Sequence, residues 1–110
     1  YMAGELKHGP IALIEKDTVV IALATQPSVA QKTISNILET VARGAKVILI
    51  TSKNQNAEGF DYVIRIPDVD PLFSCIPATV LLQELAYYVA KEKGCDVDKP
   101  RNLAKSVTVE

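Results

Sequence analysis

Residues 19–24, VVIALA, and residues 46–51, KVILIT, are the two apolar runs that decide the fold of this 110-residue chain. Such runs are typical of strands that are buried on both faces, as in a parallel sheet. Residues 28–43 lie between them and carry apolar side chains at helical spacing, which predicts a helix. Together these segments predict a strand–helix–strand unit with parallel strands and a right-handed crossover.

The ends of the shorter helices are marked by residues with known capping preferences. Ser28, followed three residues later by Gln31, predicts a capping box at the start of the central helix. Gly44 is expected to end that helix, because glycine readily adopts the left-handed conformation found there. Pro10 suits the first turn of a short helix over residues 11–14, whereas the chain before it shows no periodicity.

A third strand and a long helix complete the predicted architecture. Residues 62–66, YVIRI, alternate more, so we place this strand at or near a sheet edge with Arg65 reaching solvent. A helix over residues 70–93, closed by Gly94, is apolar around most of its circumference and needs partners on more than one side. The predicted fold class is α/β, a partial doubly wound parallel sheet of three strands with flanking helices. We expect it to need earlier strands or another subunit, and to self-associate when alone.

The composition indicates one globular domain and excludes several classes of protein. Apolar residues make up 48% and charged residues 23% of the chain, and a net charge of −1 provides no basic surface for nucleic acid. No run approaches the roughly 20 apolar residues of a membrane span, and the first residues do not form a secretory signal. Cys75 and Cys95 are too far apart along the predicted helix for a disulfide, so we expect free thiols and a cytoplasmic protein.

Lys105 is the first candidate for chemistry, because it lies among small and apolar residues in NLAKSV, residues 102–107. A free lysine has a pKa of about 10.4 and is a poor nucleophile unless burial or a nearby cation lowers that pKa. An apolar setting permits such burial and suits Schiff-base formation with a carbonyl. From the residues alone, a solvated lysine near a chain end is the more common alternative.

His8, the single histidine, is the second candidate and lies in ELKHGP, residues 5–10. The Gly-Pro break beside it predicts a junction between a loop and a helix, where the ring can act on a ligand as acid or base. One histidine without a Cys/His cluster predicts no metal site, and no cofactor motif is present, so we expect no cofactor. The residues alone equally allow an exposed or structural histidine, with Glu5 pairing with Lys7.

Three loops after the predicted strands are the remaining candidates: residues 25–26, 51–53 and 67–68. In open α/β sheets, ligands bind beyond the carboxyl ends of the strands. The hydroxyl and amide side chains of these loops suit a polar ligand, although no glycine-rich phosphate loop is present.

Two segments resemble the isomerase part of the glucosamine-6-phosphate synthases, which are also called isomerizing glutamine–fructose-6-phosphate aminotransferases. They are residues 5–14, ELKHGPIALI, and residues 96–110, DVDKPRNLAKSVTVE, of which the second is the more specific. The resemblance extends along the whole chain and is to the end of the second sugar-isomerase (SIS) domain. It implies that residues 1–110 are the C-terminal half of one SIS domain, with an active-site tail at residues 95–110.

The resemblance also implies roles in converting fructose 6-phosphate and glutamine into glucosamine 6-phosphate and glutamate. Lys105 would form a Schiff base with the open-chain ketose, and Ala104 would line the sugar site with it. His8 would act in opening the sugar ring and would be contributed across a subunit interface, which implies a homo-oligomer. The isomerising carboxylate, the N-terminal SIS domain and the glutaminase domain would lie upstream. Glu5 is therefore given no catalytic role, and the chain alone is expected to be inactive.

Two other functions stay open at this stage. Fructosamine-6-phosphate deglycases share a segment like ELKHGP but match the tail less well. A non-catalytic SIS module that binds a sugar phosphate, as in the effector domains of some transcription regulators, would not need Lys105.

Overall fold

The computed structural model describes residues 1–99 and 101, which include a small parallel sheet and several helices. In chain order its elements are the 3-10 helices Ala3–His8 and Pro10–Leu13, β1 (Val19–Ala24), α1 (Pro27–Val41), β2 (Lys46–Ser52), β3 (Tyr62–Ile66), the 3-10 helix Pro71–Phe73 and α2 (Cys75–Glu92). The chain divides into two compact units, the first being Tyr1–Ala78 and the second beginning at Thr79.

The sheet has the order β1-β2-β3, and both pairs of strands are parallel. Ala24 is paired with Thr51, and Ser52 with Ile66, so the carboxyl ends of the three strands lie at one edge of the sheet. The predicted α/β class, the three parallel strands and the edge position of the third strand are confirmed. Arg65 is exposed, as expected for a residue on that strand.

β2 carries the core, because it is paired on both sides and packed on both faces. Leu49 is 0% and Ile50 is 1% exposed, and these successive side chains point to opposite faces of the sheet. On one face, Ile34 and Ile37 of α1 join Leu49 in the core cluster. Complete burial of a leucine or isoleucine contributes about 1.5–3 kcal/mol. The prediction of a strand buried on both faces therefore holds for β2.

β1 differs from its prediction, because only one of its faces is buried. Ala22 and Ala24 belong to the core, whereas Val19, Ile21 and Leu23 are 63%, 44% and 46% exposed. The three exposed side chains line an apolar groove of about 630 Å³. None of the elements in the described part of the chain covers this face, and the prediction that both faces are buried is wrong for this strand.

The start of α1 also differs from the prediction. The helix begins at Pro27, and its N-cap residue, Gln26, makes no side-chain hydrogen bond to the helix end. Proline suits this first position, because the N–H that it lacks would have no partner within the helix. The amide of Gln31 instead donates to Oε1 of Gln55 at 3.2 Å. The predicted capping box of Ser28 and Gln31 is therefore wrong, because Ser28 lies inside the helix and is not its N-cap residue.

The turn between α1 and β2 and the chain just before β1 each contain a backbone conformation that few residues adopt. Gly44, three residues beyond the end of α1, has the positive φ of 90° that was expected for it, and its carbonyl accepts a hydrogen bond from the Asp17 N–H at 2.8 Å. Asp17 has a φ of 67°, which is uncommon for a residue with a side chain. Its carboxylate lies 2.8 Å from Nζ of Lys46, and this hydrogen bond and charge raise the pKa of that lysine. The pair lies at the amino end of β2, away from the edge where ligands bind.

The helix predicted over residues 70–93 is divided into two elements. Asp70 caps the first, a 3-10 helix, by accepting a hydrogen bond at Oδ1 from the Leu72 N–H at 2.9 Å. α2 follows, and Gly94 adopts a φ of 68° just after its end. The two cysteines, Cys75 and Cys95, are free and exposed, as predicted.

α2 is apolar around much of its surface and leaves many of these side chains open to solvent. Five of them are 46% to 60% exposed: Ile76, Val80, Tyr87, Tyr88 and Val89. Pro71–Glu92 is also long and apolar enough to span a membrane, with a mean hydropathy of 1.4. This finding corrects the expectation that no segment approaches the length and apolar character of a membrane span. Core helices of soluble proteins meet the same criterion, so length and hydropathy by themselves assign no membrane span to this chain.

We predict that the 110-residue chain self-associates when it is produced alone, because the uncovered face of β1 is apolar. Light scattering over a wide concentration range should give a mass above the 11.9 kDa of one chain. Ile21→Lys should weaken the association by charging this face. Val29→Lys, at a residue of α1 that is exposed to a similar degree, is the matched control and should have little effect. A clean monomer at every concentration would contradict the prediction.

Candidate functional site

The ELKHGP segment, residues 5–10, is held against the sheet unit by one buried side chain. Residues Ala3–His8 form a 3-10 helix that the lack of periodicity did not reveal. Leu6 is 9% exposed and joins the isoleucines of α1 in the core. Its burial contributes about 1.5–3 kcal/mol and fixes the backbone of the segment that carries His8.

His8 is exposed and lies at the end of this helix, directly before a sharp turn. The turn is made by Gly9, whose φ of 149° is strained for any residue with a Cβ atom. Pro10–Leu13 then form the predicted short helix as a second 3-10 helix. Among the hydrogen bonds of the described residues, none involves the His8 ring. The backbone on either side therefore fixes the position at which the ring is attached, and no described hydrogen bond fixes its orientation.

Lys7 forms an ion pair with α1 that sequence reasoning missed. Its Nζ lies 2.6 Å from Oε1 of Glu39, and the two side chains are 55% and 35% exposed. The predicted pairing of Glu5 with Lys7 is therefore wrong, and Glu5 is exposed. No local pattern could have indicated the true partner, because Lys7 and Glu39 are brought together by the fold.

Ala104 and Lys105, the predicted residues of the C-terminal tail, lie outside the described residues. The chain that leads to them is ordered by Asp96, whose Oδ1 accepts hydrogen bonds at 3.0 Å from the N–H groups of Asp98 and Lys99. A cavity of about 810 Å³ in the second unit is lined by Tyr87, Cys95, Lys99 and Arg101, among others. Two of these residues, Lys99 and Arg101, are positively charged and belong to the predicted tail, residues 95–110.

The first predicted loop, residues 25–26, makes hydrogen bonds within the protein. Nε2 of Gln26 donates to the carbonyl of Pro71 at 2.8 Å and to Oγ of Ser74 at 2.9 Å. The Ser74 hydroxyl is 2% exposed and lies 3.4 Å from Oγ1 of Thr25. These contacts join the end of β1 to the 3-10 helix before α2, so the loop groups stabilise the fold.

The loop after β2 is held in place by Arg65. Nη1 of this residue donates to the carbonyl oxygens of Ser52, Lys53 and Gln55 at 2.9, 3.2 and 3.0 Å. The amide of Asn54 also donates to the carboxylate of Asp68 at 3.4 Å, which joins the second and third predicted loops. The carboxyl edge of the sheet is therefore an ordered polar surface whose groups bind one another.

The described residues thus present an exposed imidazole without a complete set of catalytic groups around it. Within residues 1–99 and 101, no three His, Cys, Asp or Glu side chains lie close enough to hold a metal ion. An imidazole can both donate and accept a proton. The exposed His8 side chain is therefore chemically able to exchange a proton with a ligand.

Comparison with known proteins gives a match over most of the chain. A family described as the SIS domain matches residues 1–89. A solved structure, the C-terminal domain of glucosamine-fructose-6-phosphate aminotransferase from Francisella tularensis, is similar with a TM-score of 0.80 and 37% sequence identity. That similarity covers 90% of this chain and 29% of the solved one.

Three curated relatives are similar along the whole chain. The isomerizing glutamine–fructose-6-phosphate aminotransferase of Clostridium acetobutylicum is 55% identical, and those of Caldanaerobacter subterraneus subsp. tengcongensis and Methanosarcina mazei are 56% and 49% identical. Each similarity covers 100% of this chain and 18% of the relative. The chain therefore spans less than a fifth of the length of these relatives.

We predict that Gly9→Ala changes the position of His8, because the turn requires a conformation that costs about 1–3 kcal/mol for other residues. The chain has one histidine, so the ring protons of His8 give a single set of NMR signals. These signals should shift in Gly9→Ala. Gly4→Ala is the matched control, because a methyl group at Gly4 meets no atom within 4 Å, and it should leave the signals unchanged. Unchanged signals in both variants would show that the turn does not require glycine.

Proposed function

This chain belongs to the SIS domain family, and from that premise we propose that it is part of an isomerizing glutamine–fructose-6-phosphate aminotransferase. In this proposal residues 1–110 form the C-terminal half of one SIS domain, including the tail at residues 95–110. The observation that carries the proposal is the identity with aminotransferases of this name along the whole chain, which includes the tail. The complete protein would convert fructose 6-phosphate and glutamine into glucosamine 6-phosphate and glutamate.

Lys105 is the proposed nucleophile of the isomerase reaction. Its neutral amine attacks the C2 carbonyl of open-chain fructose 6-phosphate, and loss of water leaves an imine between Nζ and C2. The imine makes the protons on the neighbouring carbon more acidic, which prepares the sugar for isomerisation. Ala104 lines the same sugar site in this proposal.

His8 is the proposed acid–base group for opening the sugar ring. Ring opening moves a proton from the anomeric hydroxyl to the ring oxygen, and an imidazole can carry out both transfers. The exposure of His8 and the absence of described hydrogen bonds to its ring support this role, because the ring stays available to a ligand. They also suit a contribution across the interface of a homo-oligomer.

The remaining parts of the reaction are proposed to come from outside this chain. The isomerising carboxylate, an N-terminal SIS domain and a glutaminase domain lie upstream, which agrees with the small share of the relatives that this chain covers. The chain by itself is expected to form no glucosamine 6-phosphate. A cytoplasmic location is proposed with this function, since its substrates are phosphorylated metabolites and the two cysteines are free thiols.

We predict that Lys105 of the complete protein is labelled when borohydride is added with fructose 6-phosphate. Borohydride delivers a hydride to the imine carbon and converts the imine into a stable secondary amine, which mass spectrometry of peptides locates. Lys105→Arg should abolish the label, whereas Lys99→Arg, a matched control in the same segment, should keep it. Turnover without any label on Lys105 would overturn its role, and sugar binding without turnover would favour a non-catalytic module.

His8→Asn should lower kcat of the complete protein by about 10²- to 10⁴-fold, the usual contribution of acid–base catalysis. Asparagine keeps a polar side chain of similar size but cannot transfer a proton at this position. Steady-state formation of glucosamine 6-phosphate measures the effect, and thermal unfolding should show that the variant is folded. A folded variant with unchanged kcat would contradict the proposed role.

A further inference from the structure

We propose that Glu39 is a positioning residue for His8, because its carboxylate holds Lys7, the residue directly before the histidine. The inference rests on the proposed function in assigning acid–base chemistry to His8. It adds a residue of α1 that lies outside the ELKHGP segment. Glu39 touches neither the substrate nor the reacting atoms in this proposal and acts only through Lys7.

The ion pair is the contact that connects the exposed side of the ELKHGP segment to α1. Nζ of Lys7 and Oε1 of Glu39 lie 2.6 Å apart, a short distance for a charge-assisted hydrogen bond. Leu6 fixes the neighbouring backbone from the buried side. The segment before His8 is therefore held at two successive residues, one by apolar packing and the other by charge.

Glu39 has a rigid base, because the helix around it is firmly packed. Ile37 is 5% exposed, and Thr40 is 0% exposed with its hydroxyl donating to the Ile37 carbonyl at 2.7 Å. A carboxylate on such a helix keeps a defined place relative to the core. Lys7 is bound to this carboxylate and therefore holds the neighbouring backbone of His8 in a defined position.

The ion pair matters for His8 because the position of the imidazole depends on the backbone before it, which Leu6 and Lys7 hold within the described residues. The ring has no hydrogen-bond partner among them, and the next residue, Gly9, is the most flexible kind of residue in an unconstrained chain. Without the ion pair, only the packing of Leu6 would hold the end of this helix before Gly9. The imidazole would then sample more orientations and less often face the sugar.

The expected effect is modest, because the pair is partly exposed. Exposed ion pairs contribute about 0.2–1 kcal/mol, which corresponds to a change of up to about fivefold in rate. Glu39→Gln in the complete protein should therefore lower kcat for fructose 6-phosphate by about two- to fivefold, with a smaller change in KM. Glu58→Gln, an exposed residue outside this contact, is the matched control and should leave kcat unchanged.

Reversal of the charges separates positioning from a general loss of stability. Lys7→Glu alone should lower kcat, and Lys7→Glu combined with Glu39→Lys should restore at least half of the loss. In the 110-residue chain, Glu39→Gln should also shift the NMR signals of the His8 ring, whereas Glu58→Gln should not. This second measurement needs no turnover.

The outcomes distinguish this inference from the proposed function. An inactive wild-type complete protein would reject the proposed function, and the NMR shift would still test the contact between Glu39 and the His8 segment. An active wild-type protein in which Glu39→Gln behaves like Glu58→Gln would overturn the inference alone. The inference would also be overturned if the reversed pair failed to restore kcat and the loss of kcat was accompanied by a lower unfolding temperature.

Discussion

The pairing of β2 on both sides is the constraint on which the rest of the first unit depends. A central strand must bury both faces, and Leu49 and Ile50 meet this requirement with side chains on opposite sides. The parallel register then brings the carboxyl ends of all three strands to one edge. It also fixes α1 on the sheet, and α1 in turn holds Leu6 and the segment that carries His8.

The elements that the sequence predicted well are those determined by their own residues. The strands at residues 19–24 and 46–51 were predicted from continuous apolar runs, and the strand at residues 62–66 from a more alternating pattern typical of a sheet edge. The first 3-10 helix was missed because a short helix with one buried side chain, Leu6, has no periodicity to detect. The capping box failed for a different reason: the helix begins at Pro27, so Ser28 is not its N-cap residue, and Gln31 bonds to Gln55 instead.

The exposed face of β1, where the prediction was wrong, bears on the complete protein that we propose. Its sequence has the apolar character of a strand with two buried faces, yet one face of this chain is open at Val19, Ile21 and Leu23. The apolar sequence of β1 indicates a strand that is stable when both of its faces are covered. The described residues bury only one of these faces. The relatives extend far beyond the segment that matches this chain, and in the proposed complete protein the segments outside residues 1–110 are the expected cover for this face.

The distribution of polar contacts explains why the site could be predicted only in part. At the carboxyl edge of the sheet, the side chains of Gln26 and Arg65 donate hydrogen bonds to other protein groups. Ligands of α/β sheets usually bind at this edge, but these two side chains are already used by the fold. His8 is the opposite case, since its backbone is held while its ring is left open. A fixed backbone with a free acid–base group is what catalysis requires of a residue that serves a ligand bound elsewhere. The resemblance of short motifs indicated His8, whereas the contact between Lys7 and Glu39 is visible only in the fold.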